Sequence, residues 1–123
     1  MSPDFSTIIY EKKDFLGRIT LNRPDQRNAI NRELATELSA ALRIAGQDDV
    51  RVIMVTGSGS AFCAGIDLKA FSQMNSLEFR EFFEIFYWEM TDIHYTLTKP
   101  TIAVLNGHSL AISSLPRKQL ESD

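Results

Sequence analysis

Residues 50–69 read VRVIMVTGSGSAFCAGIDLK, and this stretch decides the fold. Val50–Thr56 is a nearly continuous apolar run of strand length. Runs of that kind belong to strands covered on both faces, which implies a parallel sheet with helices around it. Gly57-Ser58-Gly59-Ser60 reads as a flexible loop, and Asp67–Phe71 as a short helical turn. Ala64 and Gly65 carry minimal side chains, so a ligand can approach the backbone and free N–H groups can point at it. Asp67 can cap the turn that follows. Read from the residues alone, Ser60–Lys69 is equally a ligand-binding strand-to-helix loop or a plain βα turn.

Working outward, Asn31 to Gln47 shows helix spacing, with Leu34, Leu38 and Leu42 on one face and Ala41 and Ala45 beside them. Asn31 or Asn28 can cap its start. Before it, Thr7–Lys12 and Phe15–Leu21 are two β runs split by Lys13-Asp14, a hairpin pattern closed by Asn22-Arg23-Pro24-Asp25. Strand, helix and buried strand together make a βαβ crossover and an α/β fold. Beyond the central stretch, Asn75 to Leu97 has helix spacing, and Asn75 with Glu78 forms a capping pair. Seven of the 12 aromatic residues lie between Phe79 and Tyr95, an apolar face wider than this chain's own sheet requires. Lys99-Pro100 ends that helix, and Thr101–Leu105 is another buried strand turned by Asn106-Gly107. The final ISSLPRKQLESD, residues 112–123, is polar and lacks a period, and reads as a tail or a marginal short helix.

Composition narrows the function classes. The chain has 123 residues, one Cys and a net charge of −3, with a pI near 5.4. It offers no basic footprint for nucleic acid and no apolar run of roughly 20 residues to span a bilayer. The first residues lack the basic start and apolar stretch of a signal peptide. A single Cys makes no internal disulfide, and a reducing, cytoplasmic location is expected. His94 and His108 have no carboxylate spacing beside them, so no metal site is expected. Cys63 reads as a small packed thiol rather than a nucleophile. Glu84 and Glu89 read as a solvated helix face, with Glu89 a remote acid/base candidate.

Three stretches in order carry a resemblance. They are Ile19–Ile30 (ITLNRPDQRNAI), Ser60–Lys69 (SAFCAGIDLK) and Lys99–Ala111 (KPTIAVLNGHSLA). Together they are similar to the N-R-P/N-A, A-F-x-A-G-x-D-L and K-P-x-I-A-x-x-N-G-x-x-x-G elements of the enoyl-CoA hydratase/isomerase family, the crotonase superfamily. The resemblance implies an incomplete crotonase-like spiral of ββα units, with residues 1–111 forming the N-terminal part of the domain and 112–123 a divergent tail. It implies acyl-CoA thioesters as substrate or ligand, and no cofactor beyond the CoA that the substrate carries. Family members hold the thioester oxygen with two backbone N–H groups. By position, the first is that of Ile66. Ala64 and Gly65 would line the adenine and pantetheine path, with Asp67 and Lys69 beside it. Arg27 and Ala29 occupy positions that touch CoA in relatives. Family members assemble as trimers or dimers of trimers, so a homo-oligomer or pairing with full-length family subunits is expected.

The resemblance stops at Ala111. Ile112 stands where the second oxyanion Gly is expected and Leu115 where the first catalytic Glu is expected, while the second Glu would lie beyond residue 123. Losing one oxyanion donor costs about 3–4 kcal/mol, and each lost acid/base group costs roughly 10²–10⁴ in rate. The expectation is therefore a truncated, catalytically impaired member. The alternative is a non-catalytic fragment that binds CoA or pairs with full-length subunits.

Overall fold

The computed structural model describes residues 4–106, 108–109 and 120–121. Its first unit is the expected hairpin. β1 (Ile8–Lys13) and β2 (Leu16–Leu21) pair antiparallel from Ile8 against Leu21 to Lys13 against Leu16. Asp14 turns the chain at φ 54°, in the left-handed region that Asp tolerates better than most residues. Pro24–Gln26 forms a 3₁₀ turn with Pro at its start, where no N–H is needed.

Helix α1 (Arg32–Gln47) begins as its sequence dictates, with the Asn31 side chain accepting the Leu34 N–H at 2.9 Å. Its last carbonyls are met by Lys99, whose Nζ donates to the oxygens of Ala45 at 2.8 Å and Asp48 at 2.5 Å. A cation there also complements the helix dipole. α1 is the crossover that lets β3 (Val52–Gly57) lie parallel to β2, in register from Leu16–Val52 to Leu21–Gly57. β5 (Thr101–Val104) extends the sheet in parallel on the far side of β3.

Ser60–Cys63 departs from the loop expected of it. Ala61–Cys63 is a short buried strand, β4, which leaves the main sheet and pairs in parallel with β6 (His108–Ser109). The chain thus holds two ββα units, β1-β2-α1 and β3-β4-α2, where α2 is Leu68–Ser72. Leu120–Glu121 forms β7 in parallel with β5, where the sequence suggested a tail or helix. An unpaired edge strand offers a row of ladder groups that any extended segment can satisfy. The order of the main sheet is β1-β2-β3-β5-β7.

The long helical segment is continuous but not uniform. α3 (Ser76–Phe83) opens with the full capping box of Asn75 and Glu78, Glu84–Glu89 is π-helical, and α4 (Met90–Thr96) closes it. Phe82, Phe86, Met90 and Ile93 are buried against α1 and the sheet, joining Ile19, Leu38, Leu42 and Ile53 in one core. The remaining aromatics form an outer ridge, with Phe79–Phe83 and Phe83–Tyr87 ring centroids 5.1 and 5.5 Å apart. Trp88 and Tyr95 also stand exposed, so the wide apolar face divides into a core stripe and an uncovered ridge.

Candidate functional site

The loop between β4 and α2 is held from below by the segment that joins the 3₁₀ turn to α1. Arg27 and Asn28 are consecutive left-handed residues, φ 53° and 57°. Two such residues in succession reverse the chain and bring residues 27–30 alongside 64–67. The Ala64 N–H donates to the Arg27 oxygen at 2.9 Å. The Ile30 N–H donates to the Gly65 oxygen at 2.7 Å, and the Asp67 N–H to the Ile30 oxygen at 2.9 Å. Gly65, at φ 91°, makes the bend that this pairing requires, and its own N–H points at Cys63 Sγ, 3.4 Å away. Among the described residues, the Ile66 N–H makes no hydrogen bond. One donor is therefore left over in a run whose neighbours are all engaged.

Asp67 uses both oxygens internally. Oδ1 accepts the Ala70 N–H at 3.1 Å and caps α2, while Oδ2 accepts the Arg23 guanidinium at 3.3 Å. Arg23 also donates to the Ala29 oxygen at 2.5 Å. Both side chains of this ion pair are only about one-sixth exposed, 16% and 15%, so it is far less screened than the surface pairs. Lys69 is exposed and shares a hollow of about 310 Å³ with Arg23, Gln26, Asn31 and Asp67. Arg27 is exposed and Ala29 half-buried. The structure thus brings Arg27, Ala29, Ala64, Gly65, Ile66 and Asp67 to one loop cluster, with Lys69 at the adjoining hollow.

Two asparagines fix the preceding loop. Asn28 is fully buried, at 0% exposure. Its Oδ1 accepts the Arg23 N–H at 2.8 Å, and its Nδ2 donates to the oxygens of Ser58 and Ala61, both at 2.9 Å. Asn106 comes from the opposite side. Its Oδ1 accepts the Gly57 N–H at 3.2 Å, and its Nδ2 donates to the Gly59 oxygen at 3.0 Å. Gly57 is where these approaches are tightest. A Cβ there would lie 2.5 Å from the Phe62 oxygen, 2.7 Å from the Ala61 oxygen and 2.8 Å from Asn28 Nδ2. The roles of Arg23, Asn28 and Gly57 were not legible as single residues, although all three lie in or beside the quoted stretches.

Cys63 is buried, and burial pushes its thiol up, which leaves it protonated and poorly nucleophilic. His94 Nδ1 lies 2.8 Å from the Met90 oxygen, a contact within its own helix. Glu89 pairs with Arg43 at 3.1 Å on the surface, away from the loop cluster. Ile112 and Leu115, expected at the positions of the second donor and the first Glu, lie outside the described residues.

The three sequence stretches thus meet around residues 57–67, where residues 27–30 bracket the Ile66 N–H and Asn106 holds the preceding loop at Gly57 and Gly59. The chain belongs to the enoyl-CoA hydratase/isomerase family, whose profile matches residues 11–112. Among relatives, it is 32% identical to human enoyl-CoA delta isomerase 2, covering 91% of this chain and 29% of that one. It is 36% identical to a probable enoyl-CoA hydratase of Mycobacterium bovis, over 86% of this chain and 40% of that protein. The crystal structure of an enoyl-CoA hydratase from Bacillus anthracis superposes with a TM-score of 0.75 at 32% identity, over 83% of this chain and 40% of that one. The fold is crotonase-like, and the chain spans 29–40% of the length of these proteins.

Proposed function

We propose that this chain binds acyl-CoA thioesters at the 64–67 loop and donates the Ile66 N–H to the thioester oxygen. The single observation behind this reading is that, among the described residues, the Ile66 donor has no hydrogen bond while its flanking amides, Ala64, Gly65 and Asp67, are all bonded. A buried or half-buried N–H without a partner is costly unless something else fills it. A carbonyl oxygen that gains negative charge is the acceptor it would stabilise most. Ala64 and Gly65 leave room for the pantetheine, and the exposed Arg27 and Lys69 supply positive charge for the phosphates. Asp67 acts through its clamp on Arg23 and α2 rather than through the ligand. No cofactor beyond the CoA of the ligand takes part, and the lone buried Cys63 suits a reducing cytoplasm.

The parent chemistry is hydration of a 2-enoyl-CoA or double-bond migration through the same enolate. With Ile112 and Leu115 at the positions of the second donor and first Glu, we expect binding without appreciable turnover. Calorimetric titration with butyryl-CoA and loss of enoyl absorbance with crotonyl-CoA test the two parts. Absence of butyryl-CoA binding at millimolar concentration would sink the binding claim. Hydration at a full-length member's rate would sink the impairment claim.

A second reading rests on the outer aromatic ridge, with Tyr87 48%, Trp88 72% and Tyr95 88% exposed. Such a ridge suits pairing with full-length family subunits. Sedimentation as a monomer, with no co-purification with a full-length homologue, would count against it.

A further inference from the structure

We infer that Asn28 is the positioning residue of the Ile66 donor, a role that rests on the reading of the loop given above. The Ile66 N–H cannot be aimed by the Ile66 side chain. It is aimed by the peptide units on either side, and these are held by the 27–30 segment through Arg27 O, Ile30 N and Ile30 O. That segment is anchored by the buried Asn28 side chain, with Arg23 holding it a second time through the Ala29 oxygen. The three hydrogen bonds of the Asn28 side chain tie the turn at Arg23 to the loop carbonyls of Ser58 and Ala61. The backbone bond from Asn28 N to the Arg23 oxygen, 2.8 Å, closes the same turn.

Two features show that the site is built around this amide. Asn28 sits in the left-handed region at φ 57°, which Asn tolerates but most side chains do not. Gly57 leaves the space that Asn28 Nδ2 needs, since a Cβ at residue 57 would come within 2.8 Å of it. No other fully buried side chain in the 23–30 segment is polar. The geometry therefore runs from Asn28, through the reversal at residues 27–28, to the two strand-like bonds that bracket Ile66. If the anchor is lost, the 64–67 loop keeps its ligand-facing surface, but the donor no longer has a fixed direction.

The test compares butyryl-CoA with S-butyl-CoA, a thioether of nearly the same shape that lacks the carbonyl oxygen. In the wild-type chain the thioester should bind about two- to tenfold more tightly, the size of one net hydrogen bond. In Asn28→Gly, which accepts the left-handed backbone and removes the side-chain bonds, the thioether should bind as in the wild type and the preference should fall to about one. The infrared carbonyl stretch of bound, ¹³C-labelled butyryl-CoA should return to its free value. Tyr10→Phe, which removes the hydrogen bond to Asp48 outside the loop cluster, should leave the preference intact. A thioester preference retained in Asn28→Gly overturns the role of Asn28. No binding of either probe by the wild-type chain refutes the reading of the site itself, and the positioning role with it.

If Asn28→Gly does not fold, hydrogen exchange on the wild-type chain decides. The Asn28 side-chain amide protons should exchange in step with the Ala64 and Asp67 amides, with the Ile66 amide much faster. Rapid exchange at the Asn28 side chain, while Ala64 and Asp67 stay protected, overturns the proposal.

Discussion

Gly57→Ala puts a single methyl group where the structure has no room. The new Cβ would meet two backbone carbonyl oxygens, those of Phe62 and Ala61, at 2.5 and 2.7 Å, and Asn28 Nδ2 at 2.8 Å. Neither carbonyl can rotate away without breaking β4 or the Asn28 bonds. Overpacking of this kind costs about 1–3 kcal/mol. Displacing the Asn28 amide forfeits one or both of its donations, about 1 kcal/mol each. Stiffening the unfolded chain returns about 0.5–1 kcal/mol. The net expectation is a loss of about 1–4.5 kcal/mol, against a total stability of roughly 6–18 kcal/mol for a chain of this length. At about 4 °C per kcal/mol this is a fall in melting temperature of roughly 4–18 °C. Circular dichroism melts of the two proteins measure it. Gly46→Ala is the matched comparison, because the Cβ there meets only Leu97 Cδ2, a flexible side-chain tip, at 3.0 Å. It lies within α1, where Ala is the better helix former, and should change stability by less than about 1 kcal/mol. A Gly57→Ala melt within about 3 °C of wild type would refute the close approach of the three segments.

Two further perturbations probe the clamps around the loop. Asp67→Ala removes the cap of α2 and leaves Arg23 with only the Ala29 oxygen. Urea denaturation should show a loss of about 2–3 kcal/mol. Burial pushes the Glu37 carboxyl up, but hydrogen bonds from the Ser6 N–H, the Thr7 N–H and the Thr7 hydroxyl outweigh it and hold the group below its ordinary 4.5. A carboxylate lowered in the folded state contributes stability above the unfolded value, lost as the pH falls through the folded one. The stability gap between wild type and Glu37→Gln should therefore be constant at neutral pH and shrink below about pH 4.5. A gap that does not change with pH would show that the Glu37 charge is not what holds the N-terminal segment.

The parts of the fold that were legible in advance are those whose hydrophobic period matches their burial. α1 is such a case, because Leu34, Leu38, Ala41, Leu42 and Ala45 are all buried and Asn31 caps it as its type suggests. β2 and β3 are also such cases. The long helix was legible as helix but not in its facing. The π-helical turn at Glu84–Glu89 interrupts the 3.6-residue repeat, so spacing alone could not separate the buried Phe82 and Phe86 from the exposed Phe83 and Tyr87. β4 was missed because a three-residue strand has no period, and its partner, His108–Ser109, is far along the chain. Asn28 was hidden for another reason. Asn is ordinarily a surface residue, and its burial depends on carbonyls 30 and 33 residues away.

The candidate site sets a harder limit, since every residue except proline has a backbone N–H and the donor of Ile66 leaves no mark in the side-chain pattern. What a sequence can carry is the set of residues that keeps one N–H unpaired while occupying its neighbours. Here that set is Gly65, which supplies a bend at φ 91°; Ala64, whose amide is taken by Arg27; and Asp67, whose carboxylate starts α2 one residue later. The spacing A-G-I-D is thus meaningful at positions 64, 65 and 67 and permissive at 66, where the side chain is apolar and half-buried. A variant that changes only the Ile66 side chain, such as Ile66→Val, should therefore leave thioester preference in place, whereas any change that alters the φ of Gly65 should abolish it.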